Sequence, residues 1–498
     1  MTLQLEEVGA TADAIRADLE SAFVRGLSTS TKADRRMLEA RTEEWERVGA
    51  HHVATRLRAA LRAADADTKD APHAFLSAYT SLHAFERVLS LEVARNAWAA
   101  YGSFHAEDAV VATTKEANHG RVPEATPESP RKQEATLDDP QGAANLLDEL
   151  SRLVEDLVRT GLTSATKATT TRLDSAFKEA SRRKLLRLGA SLRYVLEEVN
   201  RFIADDGTFA ARRYSFFLHR SWLLAKGIRL GVSKGDARLV GSLTVGVGST
   251  PQPCGRLELV TVGVGKRVAA AACSFDFRLR VLKSETPDLV GKSLVFSLVF
   301  AKKPDVPAEA YLHLPQPQKF ATKLLSDKTE IVVTHALRIA DDRGGGRLLL
   351  GPKSTVTAGS EHANWAAHFT WDPAGIATRA RGHVPSPLDL AVELQEEIVL
   401  EDWALEPKND TFLVVRTPGL ALHVALPPGE EGKTLHERLM SGARKKTRPR
   451  LFGTLHYEFG RIMLSPFSFL TNEGPEHLTL SNDKINLSSL LGTLNIGG

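Results

Sequence analysis

An eight-residue segment, Gly26-Leu27-Ser28-Thr29-Ser30-Thr31-Lys32-Ala33, returns 135 residues later as Gly161-Leu162-Thr163-Ser164-Ala165-Thr166-Lys167-Ala168. Both copies lead into long runs of helical periodicity, so the N-terminal part of the chain reads as an internal duplication. Self-similar supersecondary units bury their apolar faces on one another and commonly offer surfaces to partners. The correspondence continues: Arg47-Val48-Gly49-Ala50 matches Arg187-Leu188-Gly189-Ala190 if the second copy carries a five-residue insertion, and Leu82-His83 matches Leu218-His219. Each unit then predicts two helical hairpins, over residues 12–102 and 144–230. Leu57, Ala60, Leu61 and Ala64 form one apolar stripe at helical spacing, Phe75, Tyr79, Leu82, Phe85 and Leu89 a second, and Leu185, Leu188, Leu192, Val195, Leu196 and Val199 a third. The Ser/Thr cluster after each Gly-Leu pair suits a helix N-terminus, where a hydroxyl accepts from unpaired first-turn amides.

A chain of 498 residues exceeds the size of one core, so two or three domains are expected. Its apolar fraction of 42% and charged fraction of 25% are those of an ordinary soluble protein. No run is apolar enough for a membrane span, and the N-terminus lacks the basic start and apolar core of a secretory signal. Only Cys254 and Cys273 occur, which argues against a disulfide scaffold and against thiolate zinc. The expectation is a cytoplasmic protein without membrane partners, and the Ala, Arg, Gly and Val bias suggests a bacterial source.

Charge is balanced overall at +3 but unevenly placed. Residues 1–102 carry −2, residues 103–150 carry −6 and residues 151–235 carry +9. Residues 103–143, with Pro123, Pro127, Pro130 and Pro140 in a polar acidic stretch, read as a flexible linker. Its charge complements the basic second unit.

Beyond residue 235 the period changes. Leu239–Val247, Arg256–Val264, Ser274–Leu282, Ser293–Phe300, Glu330–Ile339 and Thr411–Arg416 are short, β-branched or alternating segments, and Asp341-Asp342-Arg343-Gly344-Gly345-Gly346 is a hairpin signal. No helical pattern alternates with them, so residues 236–475 predict an antiparallel β-sandwich or barrel region, as one large unit or two small ones divided near residues 373–388. Residues 476–498 form a tail. The fold class is α+β and multidomain.

Chemical motifs are weak. Thr244-Val-Gly-Val-Gly248 recurs as Thr261-Val-Gly-Val-Gly265 before Lys266, but Val260 and Arg267 stand where a phosphate loop needs glycine and a hydroxyl, so strand glycines are the better reading. Glu361, His362, His368 and Asp372 surround Trp365; on a strand the two histidines would lie roughly 20 Å apart, too far for one ion unless the segment turns. No metal, cofactor or catalytic residue is assigned. The candidate contacts to anions or nucleic acid are cationic: Lys178, Arg182, Arg183, Lys184, Arg187 and Arg193 in one helical segment, followed by Arg212, Arg213 and Arg220, and a second run of Arg444, Lys445, Lys446, Arg448 and Arg450. The acidic segment Glu393–Asp402 is placed to oppose the second run within the fold or between subunits.

The pattern of Gly-Leu, Ser/Thr cluster, helix, Gly-Ala or Gly-Leu and helix, over Gly26–Leu61 and Gly161–Val199, resembles helical segments of accessory proteins encoded with bacterial MoxR-type ATPases, von Willebrand A proteins and SWIM zinc-finger proteins. The SWIM ligands, the ATPase phosphate loop and the metal-adhesion serines of those partners are absent here. The resemblance implies a non-catalytic member of such a system. The expected function is therefore an adaptor or assembly component with protein partners, or a homo-oligomer. The alternatives are a nucleic-acid-associated protein using the basic second unit, and an enzyme with an unrecognised site in the β region.

Overall fold

The computed structural model describes residues 2–110, 139–244, 251–268, 272–303, 306–341, 343–383, 386–388, 395–407, 412–427, 429–458 and 460–481. Most of the acidic linker, the first Thr-Val-Gly-Val-Gly copy beyond Thr244 and the tail from residue 482 lie outside these residues.

Two sets of four helices open the chain: α1 (Thr2–Arg25), α2 (Lys32–Arg47), α3 (His51–Asp65) and α4 (Ala71–Val110), then α5 (Pro140–Thr160), α6 (Lys167–Arg182), α7 (Leu186–Ile203) and α8 (Ala211–Lys234). The repeated Gly-Leu segments are where the sets cross. Gly26 and Gly161 both have left-handed backbones, with φ of 89° and 71°. A Cβ on Gly26 would lie 2.4 Å from the backbone of Thr160, and one on Gly161 would lie 2.3 Å from the backbone of Arg25. The contacts around the crossing are reciprocal. Ser28 Oγ donates to the Arg159 carbonyl at 2.9 Å, and Thr163 Oγ1 donates to the Arg25 carbonyl at 3.0 Å. The predicted N-terminal hydroxyls also act as caps: Thr31 and Asp34 close a reciprocal capping box on α2, and at the start of α6 Thr169 Oγ1 accepts from the Thr166 amide at 3.1 Å.

The two sets stay in register, without the expected insertion, through their next corner. Gly49 (φ 83°) after α2 and Lys184 (φ 60°) after α6 are the left-handed residues, again 135 apart. The second of these breaks the single basic helix expected from Lys178 to Arg193 into α6 and α7. One core unites both sets, with Phe23, Trp45, Leu57, Tyr79, Leu153, Leu188, Leu192, Tyr214 and Leu218 among its members.

Residues 237–244, expected to start the β pattern, form a short helix, α9 (Ala237–Thr244), packed on α8. Gly231 lets it approach: a Cβ there would meet Val240 at 2.8 Å. The strands begin at β1 (Gln252–Val268), followed by β2 (Ala272–Ser284), β3 (Ser293–Ala301), β4 (Thr329–Ala340) and β5 (Gly346–Glu361). They close into a five-stranded barrel in the order β1-β2-β3-β5-β4. The expected Asp341–Gly346 hairpin joins β4 to β5. After α10 (Pro373–Gly382), a seven-stranded sheet follows from β6 (Glu396–Leu400), β7 (Ala404–Pro407), β8 (Phe412–Thr417), β9 (Leu420–Ala425), β10 (Arg450–Glu458), β11 (Arg461–Thr471) and β12 (Gly474–His477), with α11 (Glu430–Arg444) between β9 and β10. The expectation of a purely antiparallel, helix-free region is corrected: β3 pairs β5 and β9 pairs β11 in parallel, and α10 and α11 intervene.

The repeated glycines of β1 are packing devices. A Cβ on Gly263 would meet the Phe452 ring at 2.6 Å and one on Gly265 the Phe467 ring at 3.0 Å, so their absence lets the sheet's aromatics lie on the barrel. Phe452 and Phe467 share a small core there with Val260, Val262, Trp365 and Phe369.

Helix α4, 40 residues long, ties the helical region to the sheet. Its first half supplies Phe75, Leu76, Tyr79 and Leu82 to the helical core. Farther on, Val93, Ala94 and Trp98 enter the sheet's core beside Ile376, Ile398 and Trp403. The Trp98 indole donates to Tyr457 Oη at 2.8 Å. Between these segments lies a buried polar layer. Tyr79 Oη donates to Glu20 at 3.2 Å, Arg16 pairs with Glu20 at 3.1 Å, and His83 stacks on His219, whose Nε2 meets Thr80 Oγ1 at 2.7 Å. Arg212 of α8 reaches Glu458 of β10. Burial raises Glu86 to a pKa of about 7 and, with Arg87 beside it, depresses His83 to about 3.

Candidate interaction surfaces

The two cationic runs mark two places on the molecule. The first is the outer face of α6 and α7. Lys178 pairs with Asp174 at 2.6 Å, and Glu179 holds both Arg182 at 2.7 Å and Arg183 at 2.8 Å. Hydrogen bonds from these arginines hold the Glu179 carboxyl down to a pKa of about 2. Arg183 also meets Asp139, the cap of α5, and Arg193 pairs with Glu197. Arg187 donates to the Ser242 carbonyl at 3.2 Å.

The nine cations therefore do not make one continuous row. Arg212 and Arg213 turn to Glu458 and Glu198, away from α6. What the α7 face presents instead is apolar: Leu186, Ala190 and Tyr194, at successive i, i+4 positions, are exposed, with Leu186 at 53% and Tyr194 at 39%. Tyr194 is held in place by stacking on Phe217 at 4.4 Å. An exposed aromatic and leucine rimmed by arginines is the composition of a protein-contact surface. These residues carry little signal in the sequence, because they share a helix with a stronger core stripe and an i, i+4, i+8 set including one alanine is not distinctive.

The second run leads into a cleft of about 790 Å³ between α11, the end of β11–β12 and the short helical turns that precede β4. Lys445 lines it with Arg438, Lys323, Lys328, His313 and His477. Phe469, Leu478 and Leu480 give it apolar walls. Arg438 Nη1 donates to three carbonyls, those of His477, Leu478 and Leu480, which fixes the segment after β12 against α11. Lys323 pairs with Asp327 at 2.6 Å, and Glu309 is taken up by Lys266 at 2.7 Å and the Ser481 amide at 2.9 Å. Burial holds His477 at about 4, so its ring is neutral at pH 7. Lined by lysines and apolar walls, with Glu309 and Glu476 also present, the cleft has the size and the cations to take an extended segment or small molecule bearing carboxylate or phosphate.

The rest of the second run is used internally. Arg450 pairs with Glu401 at 2.9 Å, and Arg448 approaches Asp402 at 3.9 Å while donating to the Trp403 carbonyl. The acidic segment thus opposes the basic one within the fold. Arg444 and Lys446 are exposed at the end of α11 and in the loop after it. Earlier in the same segment, Glu397 takes Arg280 at 2.9 Å and Ser293 at 2.6 Å on the barrel, and Glu396 takes Arg379 of α10 at 2.9 Å. Arg278 of β2 is likewise engaged by Gln395.

No family model matches the chain, and no curated protein is detectably similar to it. Among the described residues, no helix is long and apolar enough to cross a membrane. Cys254 and Cys273 are both buried and free.

Proposed function

We propose that this protein is a non-catalytic adaptor or assembly component that holds two partners at a fixed separation, one on the α7 face and one in the α11 cleft. The observation that supports this most is α4. A single uninterrupted helix that belongs to both the helical core and the sheet core supports reading the two surfaces as parts of one rigid body, which is what an assembly component needs and what independent tethered domains do not provide. The two four-helix sets are read as duplicates of one ancestral unit, on the strength of the constant 135-residue offset from Gly26 and Gly161 through Gly49 and Lys184. After duplication their charges diverged, so they offer different surfaces. The resemblance to accessory proteins of MoxR, von Willebrand A and SWIM systems fits a partner-holding role.

The test is native purification of the full chain from its source with quantitative mass spectrometry, beside two variants. Leu186→Asp with Tyr194→Asp is expected to lose one stoichiometric protein partner. Lys328→Glu with Lys445→Glu is expected to lose a different one. Loss of the same partner by both, or co-purification of nucleic acid in place of protein, would overturn the proposal. The internal pairing of Lys178, Arg182, Arg183 and Arg193 favours the protein reading over the nucleic-acid one.

A further inference from the structure

We propose that His362 and His368 form a two-histidine site for a divalent transition-metal ion of the zinc, cobalt and nickel class, oriented by Glu330. The expected separation of the two histidines along a strand does not occur, because β5 ends at Glu361 and a 3-10 turn over Trp365–His368 folds the chain back. The two Nε2 atoms stand 3.0 Å apart. Imidazole nitrogens sharing one ion at about 2.0–2.1 Å are separated by about 2.9 Å at a right angle and about 3.3 Å in a tetrahedron. The pair already has that bite.

The surroundings fix the donor atoms. Glu330 lies 3.0 Å from His362 Nδ1, so Nδ1 carries the proton and Nε2 presents its lone pair. This is the carboxylate–histidine arrangement that orients metal ligands. The other Glu330 oxygen accepts from Ser360 Oγ at 3.0 Å, and Trp365 meets the His362 ring edge-on at 4.9 Å. Both the carboxylate and the ring are therefore held before any ion arrives. Without metal, His368 Nε2–H donates to His362 Nε2; binding requires that proton to leave to solvent or to move to Nδ1. Arg280, whose charge reaches His368, is paired with Glu397 and does not stand as an open cation.

Among the described residues, no group of three His, Cys, Asp or Glu side chains gathers at one point. The protein supplies two ligands, and water fills the remaining positions. Glu330 sits on β4, His362 follows β5, and Trp365 is buried in the core between barrel and sheet. A bound ion therefore pins the end of the β4–β5 hairpin to that core.

Titration calorimetry of the full chain with zinc sulfate tests the site. One ion per chain is expected, with affinity lowered at least tenfold in His362→Ala and His368→Ala. Glu330→Gln, which keeps the shape but weakens the orientation, is expected to lose about ten- to a hundredfold. Cobalt(II) should quench part of the tryptophan emission of the wild-type chain, and Trp365→Phe should retain cobalt affinity while losing that part. Circular dichroism melts in EDTA establish that each variant folds. The proposal is overturned if folded histidine variants bind zinc as the wild type does. It is equally overturned if saturating cobalt leaves the wild-type emission unchanged, a readout that requires no substitution.

Discussion

At the scale of single residues, the strongest constraint is the contact between Gly26 and Gly161. Each combines a left-handed backbone with a neighbour's carbonyl where a Cβ would sit. Gly26→Ala and Gly161→Ala should each lower unfolding free energy by about 2–4 kcal/mol, because strain and overlap act together. Gly49→Ala, left-handed but with open space around it, should cost only about 1 kcal/mol. Denaturant midpoints of the three variants check the order. The repeated glycines were legible in the sequence, but their meeting was not, since one sequence shows that two segments are alike and not that they touch.

A second residue-scale prediction concerns Glu86. Burial raises its folded pKa to about 7 from an ordinary 4.5, so its contribution is favourable below pH 4.5 and is lost as pH rises to 7. Glu86→Gln should therefore match the wild type near pH 4.5 and exceed it at pH 8, by up to about 3 kcal/mol. His83, His456 and His477 act in the opposite sense. Burial depresses them to about 3, 4 and 4, so the stability they contribute is present above pH 6.5 and is lost as pH falls toward 4. Melting temperature should climb from pH 4 toward neutrality as the histidines become neutral, and in Glu86→Gln the climb between pH 4.5 and 7 should be steeper, because the opposing loss from Glu86 is gone.

At the scale of elements, the helices with clear apolar stripes and the strands from Arg256 to Ile339 were legible, because period 3.6 and period 2 are local signals. The failures were also local in cause. Leu239–Val247 is β-branched enough to predict a strand, yet Val240 packs on Gly231 and its residues up to Thr244 are helical. Helix α11 had no counterpart in the β pattern expected for residues 236–475. The joining role of α4 had no sequence signal, since a stripe of Phe75, Tyr79 and Leu82 does not say that Trp98, on the same helix, enters another core. Trp98→Ala should cost about 3–5 kcal/mol. Hydrogen exchange should show the loss in β10 and β11 as well as in α4, because the Trp98–Tyr457 hydrogen bond goes with it.

At the scale of the whole molecule, net charges of −2 and +9 suggested two different surfaces, and the ion pairs changed what the basic one presents. Cations that are adjacent in sequence mostly face carboxylates one helical turn away, a pairing that composition hides. Retention on heparin or duplex DNA should therefore be weak and lost at modest salt, and reversing Arg182 and Arg183 should change it little. The cleft beside α11 was legible only through Lys445; Arg438, His313 and His477 come from elements far apart in sequence and are brought together by the packing of barrel on sheet. The central claim, two partner surfaces on one rigid body, is tested most directly by measuring the separation between spin labels on α7 and on α11, in the free chain and with each captured partner bound. A single narrow distance distribution, unchanged by either partner, is the predicted result. A broad distribution, or one that shifts on binding, would contradict it.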